Sequence, residues 1–134
     1  LKTLGTAVAR RLPGPFQIQA AISALHVQAP SADDVDWPQI YLLYNRLAAL
    51  APSPVVMLNR AVALAETGAL DRARCELDRL HQDLSDYQPY HAAQAELARR
   101  AGDLNGAREA YDRAIALATN DGQKAWLGEQ RDGV

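Results

Sequence analysis

The chain has 134 residues, starts at Leu1, and carries 14 basic against 16 acidic side chains, a formal net charge of −2 with a pI near 5.9. That length suits one domain, and a chain this size buries enough surface to hold a core without disulfide or metal staples. Alanine (26) and leucine (18) dominate a 49 % apolar composition, while β-branched and aromatic residues are scarce, so helix is favoured and an all-β fold is excluded. Arginine (12) and aspartate (11) are interspersed, which argues against non-specific binding to nucleic acid phosphates. The single cysteine, Cys75, allows no intrachain disulfide and fits a reducing, cytoplasmic setting. No window has the length of apolar sequence a membrane helix needs, and no secretory leader is expected at the start. A first residue other than Met points to an excised piece or a processed product.

Breakers punctuate the chain at regular intervals. Residues 1–11 read as a helix or the tail of one, ending before Pro13-Gly14-Pro15; a second helix is expected from Pro15 to Ala29, followed by a loop over Pro30–Asp34. Asp36 is a suitable N-cap, with Gln39 three residues on, for a third helix carrying Trp37, Ile40, Tyr44, Leu47 and Leu50 on one stripe. Ser53 can cap a fourth, with Pro54 in its first turn; Val55 to Thr67 is apolar on most sides, the mark of a helix flanked by others. Gly68 ends it. A fifth helix is expected over Leu70–Leu84, its end fraying into a turn at His81–Tyr87. A sixth follows over Pro89–Ala101 and is stopped by Gly102, a seventh covers Leu104–Ala118, and a more polar eighth Asp121–Glu129.

A string of short helices is either a closed bundle or a solenoid, and a repeat of 20–50 residues favours the solenoid. A shift of 34 places Gly68 on Gly102, Ala61 on Ala95, Ala73 on Ala107 and Asp78-Arg79 on Asp112-Arg113, with Leu77 on Tyr111 and Leu80 on Ala114. A weaker copy precedes these with a one-residue slip: Tyr44, Leu47 and Pro52 stand 33 residues before Leu77, Leu80 and Ser85. The period is that of tetratricopeptide helix-turn-helix units. The run Gly102-Asp103-Leu104-Asn105-Gly106-Ala107, continuing to Tyr111, Ala114 and Leu117, resembles the second half of such a unit, with small residues letting two helices approach and Tyr111 filling space towards the next unit. The first half is less typical, with His91 and Ala98 where large aromatics are usual. The expected fold is thus all-α, a tetratricopeptide-like solenoid of about three repeats (20–53, 54–87 and 88–119) between an N-terminal cap and linker (1–19) and a C-terminal cap (120–134).

Three further strings stand out, two of them Pro-rich and irregular and not dictated by the repeat: Pro13-Gly14-Pro15-Phe16-Gln17-Ile18-Gln19-Ala20-Ala21-Ile22, then Leu25–Asp34 with Asp36-Trp37-Pro38-Gln39-Ile40, then Leu50-Ala51-Pro52-Ser53-Pro54 running on to Leu58-Asn59-Arg60-Ala61. In this order they resemble the C-terminal extension of a group of bacterial extracytoplasmic-function (ECF) RNA polymerase sigma factors, over roughly residues 10–118. The closing Trp126–Arg131 run matches only loosely. The resemblance implies a transcription-initiation protein of which this chain is a regulatory, partner-binding part. Its partners would be the sigma core regions, RNA polymerase or a regulatory protein, and promoter DNA would be read by other parts of the protein. The alternative is a free-standing tetratricopeptide adaptor for a peptide or protein.

No catalytic set stands out, and neither an enzyme nor a cofactor or metal site is expected. His26, His81 and His91 fall on different helices or their ends, and Cys75 reads as a small buried thiol. The Gly102–Gly106 turn lacks the preceding strand and the Lys-Ser/Thr of a phosphate loop. Arg99-Arg100 and Arg10-Arg11 are too small as basic clusters to indicate DNA. The expected partner surface is a groove lined by the first helix of each repeat: Leu58, Asn59, Val62 and Glu66 from one, Ala92, Glu96, Arg99 and Arg100 from the next. Asn59 stands where some peptide-binding members of the repeat family hold a ligand, yet the basic residues of a carboxylate clamp are replaced by Pro89 and Ala93. Arg60 is expected to pair with Glu96 or Glu66.

Overall fold

The computed structural model describes residues 14–134; the helix expected over 1–11, and with it Arg10-Arg11, lies outside the described residues. Eight α-helices follow in order: α1 (Pro15–Gln28), α2 (Trp37–Leu50), α3 (Pro54–Glu66), α4 (Leu70–Asp78), α5 (His81–Leu84), α6 (Gln88–Arg100), α7 (Leu104–Leu117) and α8 (Asp121–Asp132). A short 3-10 turn at Ala32–Asp34 links α1 to α2, and no strand occurs among the described residues. The fold is therefore all-α, and the 19/20 boundary drawn from the repeat falls inside α1.

Local chemistry accounts for most helix ends. Asp36 Oδ1 accepts from the Gln39 amide at 3.2 Å, Ser53 Oγ from Val56 at 3.1 Å, Asp103 Oδ1 from Gly106 at 3.0 Å and Asn120 Oδ1 from Gln123 at 2.7 Å. Each cap satisfies an amide that the first helical turn leaves without a carbonyl. After α3 and α6 the chain reverses through Gly68 and Gly102, whose φ of +104° and +82° lie in the left-handed region that a side chain resists.

The helices pack chiefly on their neighbours in sequence, with α6 against α7 the most extensive contact, and α4 also meets α6. The core is correspondingly divided into three clusters along the chain. Ile18, Ile22, Ile40, Leu47 and Ala63 form the first. Leu58, Ala61, Leu64, Leu77, Leu84, Tyr90 and Leu97 belong to the second. The third is mostly alanine, with Ala95, Ala98, Ala107, Ala110 and Ala114 around Tyr111 and Leu127. Helix α3 contributes to the first two clusters and α6 to the last two, which is why both are apolar on more than one side. These two helices begin and end 34 residues apart, and α4 and α7 also start 34 apart.

The single helix expected over 70–84 is broken at Arg79-Leu80 into α4 and α5. A side chain of α6 meets the chain at this break. Tyr90, fully buried, donates its hydroxyl to the Leu77 carbonyl at 2.8 Å, while the Leu80 amide closes a tighter turn onto the same carbonyl at 2.9 Å. That oxygen is the acceptor an uninterrupted helix would offer to the amide four residues on. The residue 34 positions after Tyr90 is Lys124, so α7 has no such hydroxyl to accommodate and runs unbroken. His91, next in sequence, brings Nε2 to 2.6 Å from the Ser85 carbonyl and fixes the far end of α5.

Candidate partner-binding surface

The eight residues expected to line a groove separate into four environments. Leu58 is only 3 % exposed; on α3 it shares a stripe with Ala61 and Ala65 and packs into the second core cluster. It presents no surface to a partner, a correction that follows from its phase on the helix. Asn59, one residue on, is exposed and lies on the wall of a cavity of about 200 Å³ between α1, α2 and α3, with Gln19, Tyr44 and Val56 among its neighbours. Val62 and Ala92 are half-buried, the first against the second core cluster and the second against the third.

The four charged residues do come together. Glu66 at the end of α3 accepts from Arg100 Nη2 at 2.7 Å, and Arg100 Nε reaches Glu96 at 3.0 Å on its own helix. Arg99 holds the same Glu96 through two donors, Nε at 3.1 Å and Nη2. The result is an alternating chain of charge, Glu66–Arg100–Glu96–Arg99, that crosses from α3 to α6. The spacing explains it: Glu66 and Arg100 are equivalent positions of the 34-residue shift, and Glu96 sits three and four residues before the two arginines. Tyr111 of α7, which the sequence reading assigned only to packing, completes the group. Its ring is buried and its hydroxyl oxygen stands 3.5 Å from Glu96 Oε2.

Electrostatics bind these residues to one another. Partial burial pushes the Glu96 carboxyl up, but the hydrogen bonds from Arg99 and Arg100 outweigh it and hold the group below the usual carboxylate range. Burial, and then the nearby Glu96 charge, raise the Tyr111 phenol. Arg99 is the most exposed of the four, and its guanidinium has five N–H donors of which Glu96 takes two. Its exposed side can meet a carboxylate or a backbone carbonyl. This arrangement suits polar recognition at the rim of an interface; it contains no nucleophile with an adjacent base.

Arg60 pairs with neither residue expected for it. Its guanidinium meets Glu76 of α4 at 3.2 Å and the Asn45 side chain of α2 at 3.5 Å, bracing three successive helices. A second polar cleft, of about 130 Å³, lies between α4, α6 and α7, where Arg74 bridges to Asp103 at 3.1 Å beside Asp78, Gln94 and Arg113. Cys75, expected to be buried, is exposed on α4, and His91, 2 % exposed, is the one buried histidine among the described residues. Among the described residues no group of three or more His, Cys, Asp and Glu is placed to hold a metal ion, and no helix is long and apolar enough to cross a membrane.

No protein-family model matches the chain. It is similar to an uncharacterized protein of Rhizobium meliloti (strain 1021), with 45 % identity over 132 residues covering 98 % of this chain and 31 % of that protein. The chain thus spans about a third of the length of the curated relative it matches.

Proposed function

We propose that this chain is a non-catalytic, tetratricopeptide-like regulatory domain of an ECF-type RNA polymerase sigma factor, acting in the cytoplasm through protein–protein contacts. The observation that carries the repeat reading is the equal 34-residue offset of α3 and α6, both closed by a left-handed glycine and both shared between two core clusters. In a stack of such units each helix pair covers its neighbour, which is the behaviour of a solenoid. The sigma-factor reading rests on the two Pro-rich strings, Pro13-Gly14-Pro15 and Pro52-Ser53-Pro54, which introduce α1 and α3 and which the period does not require. The greater length of the Rhizobium meliloti relative leaves room for the polymerase- and promoter-binding regions that this function needs.

In mechanism, the domain engages the sigma core, polymerase or a regulator and so sets whether the core occupies a promoter. The Arg99 end of the ion-pair chain supplies the polar contacts of that interface, and none of these contacts is with DNA. The deciding experiment is promoter-directed transcription in vitro by the protein encoded by the full reading frame, with and without residues 1–134. Output is expected to change several-fold, and Arg99→Ala to reproduce part of the change. Equal output under every condition tested overturns the reading. A reading frame that opens within a few codons of Leu1 instead favours the free-standing adaptor.

A further inference from the structure

Two like junctions of the stack are filled differently. Between α2, α3 and α4, Arg60 reaches the Asn45 side chain at 3.5 Å and Glu76 at 3.2 Å, and Arg72 closes on the same Glu76 at 3.6 Å. These four side chains plug the space where the three helices meet. The repeat carries each of them to the next junction, between α4, α6 and α7. A shift of 34 takes Arg60 to Gln94, Arg72 to Gly106 and Glu76 to Ala110, and the 33-residue shift of the first copy takes Asn45 to Asp78. Gln94, Gly106, Ala110 and Asp78 all line the cleft of about 130 Å³ described above. Two arginines and a glutamate of the first junction are thus a shorter amide and two small residues in the second, and the cleft is the room they leave.

The charges that remain there are unevenly satisfied. Arg74 and Asp103 hold each other at 3.1 Å, and Asp103 also caps α7. Asp78 and Arg113 form no ion pair among the described residues. Gln94 Nε2 approaches Asp78 Oδ1 only at 3.4 Å. Both charges act on the buried Tyr90, where Asp78 raises the phenol pKa and Arg113 lowers it, so one from α4 and one from α7 serve the same small volume.

We infer that this cleft binds a small zwitterion, an α-amino acid of the size of alanine or serine, with its ammonium on Asp78 and its carboxylate on Arg113. Such a molecule restores both signs of the missing plug and adds no net charge to a cleft that already balances two arginines against two aspartates. The size agrees, since a cavity of about 150 Å³ holds benzene, and alanine has the same number of non-hydrogen atoms. Leu97, Ala98 and Ala110 supply an apolar floor for a methyl-sized side chain beside the polar groups. None of Glu66, Glu96, Arg99 and Arg100 lines the cleft, so the site is separate from the proposed partner surface and does not depend on it.

Titration of L-alanine into the isotope-labelled 134-residue chain, followed by amide chemical shifts, tests the site. Saturable shifts are expected at Gly106 and Ala110, with a dissociation constant in the millimolar range that suits so small a ligand. Propionate and ethylamine, which carry one charge each, should bind at least tenfold more weakly. Asp78→Asn and Arg113→Gln alter exposed side chains and should each weaken L-alanine at least fivefold. The double variant Gln94→Arg with Ala110→Glu rebuilds the plug and should abolish the saturable shifts while circular dichroism shows it folded; if it does not fold, the two single variants decide. The absence of a saturable shift in the unaltered chain overturns the proposal. So does propionate or ethylamine binding as tightly as L-alanine, or an unchanged affinity in both single variants.

Discussion

Tyr90 is fully buried, and its hydroxyl has two partners: it donates to the Leu77 carbonyl at 2.8 Å and accepts from Gln94 Nε2 at 2.7 Å. Tyr90→Phe keeps the ring but leaves both groups without it, so unfolding free energy in urea should fall by about 1–2 kcal/mol. Burial and the Asp78 charge raise the Tyr90 phenol, and burial also raises Tyr44 and Tyr111. Their folded pKa values lie above the unfolded value of ~10. The stability they contribute is therefore complete below pH ~10 and is lost as pH rises through the folded values. Glu96 has the opposite sign. Despite the desolvation that opposes it, its arginine partners lower its folded pKa, so its contribution is present above ~4.3 and disappears as pH falls through the folded value. Glu96→Gln should flatten the acid limb of a stability–pH curve. At pH 7 it should cost no more than about 1 kcal/mol, because the ion pairs are about a third exposed and screened by solvent.

At the scale of elements, the two left-handed glycines offer a clean comparison. A Cβ built at Gly68 or Gly102 meets nothing within 4 Å, so the cost of alanine there is one of backbone conformation alone. Gly68→Ala and Gly102→Ala should each destabilise by about 1–2 kcal/mol, measured by urea unfolding, and by similar amounts because they occupy equivalent turns. Such turns were readable from the sequence because their chemistry is contained in adjacent residues: Asp36 with Gln39, Ser53 with Pro54, and a glycine after each apolar run. The Glu66–Arg100–Glu96 chain was readable in part, since helical spacing and the 34-residue shift put those residues on facing positions. The break between α4 and α5 was not, because it depends on a hydroxyl thirteen residues further along that reaches Leu77 only once α6 has packed. Leu58 was misplaced for a related reason. The neighbouring stripes Leu58–Ala61–Ala65 and Asn59–Val62–Glu66 differ by one residue, and only the angle between α3 and its neighbours decides which faces the core. The partner of Arg60 depends on the same angle, and α4 turns out to present Glu76.

Across the whole molecule the core is divided into three clusters, but they are not independent units, because α3 and α6 each belong to two of them. Loosening either helix exposes apolar surface on both of its sides, so the clusters are coupled through shared elements. Two tryptophans report on opposite ends: Trp37 packs against the first cluster and Trp126 lies on α8 beside Leu127. Single-tryptophan variants, made with Trp37→Phe or Trp126→Phe, should therefore unfold in urea with coincident fluorescence midpoints. Midpoints that separate would show that the shared helices do not transmit the loss of one cluster to the next.

Tyr90 and His91 both reach back along the chain, to Leu77 and to Ser85. Synthesis is vectorial, and the chain lengthens by roughly 5–20 residues each second. The segment from α4 to α5 consequently leaves the ribosome before the two side chains that hydrogen-bond to it. A nascent chain arrested before Tyr90 therefore lacks the hydroxyl that meets the Leu77 carbonyl at the Arg79-Leu80 break.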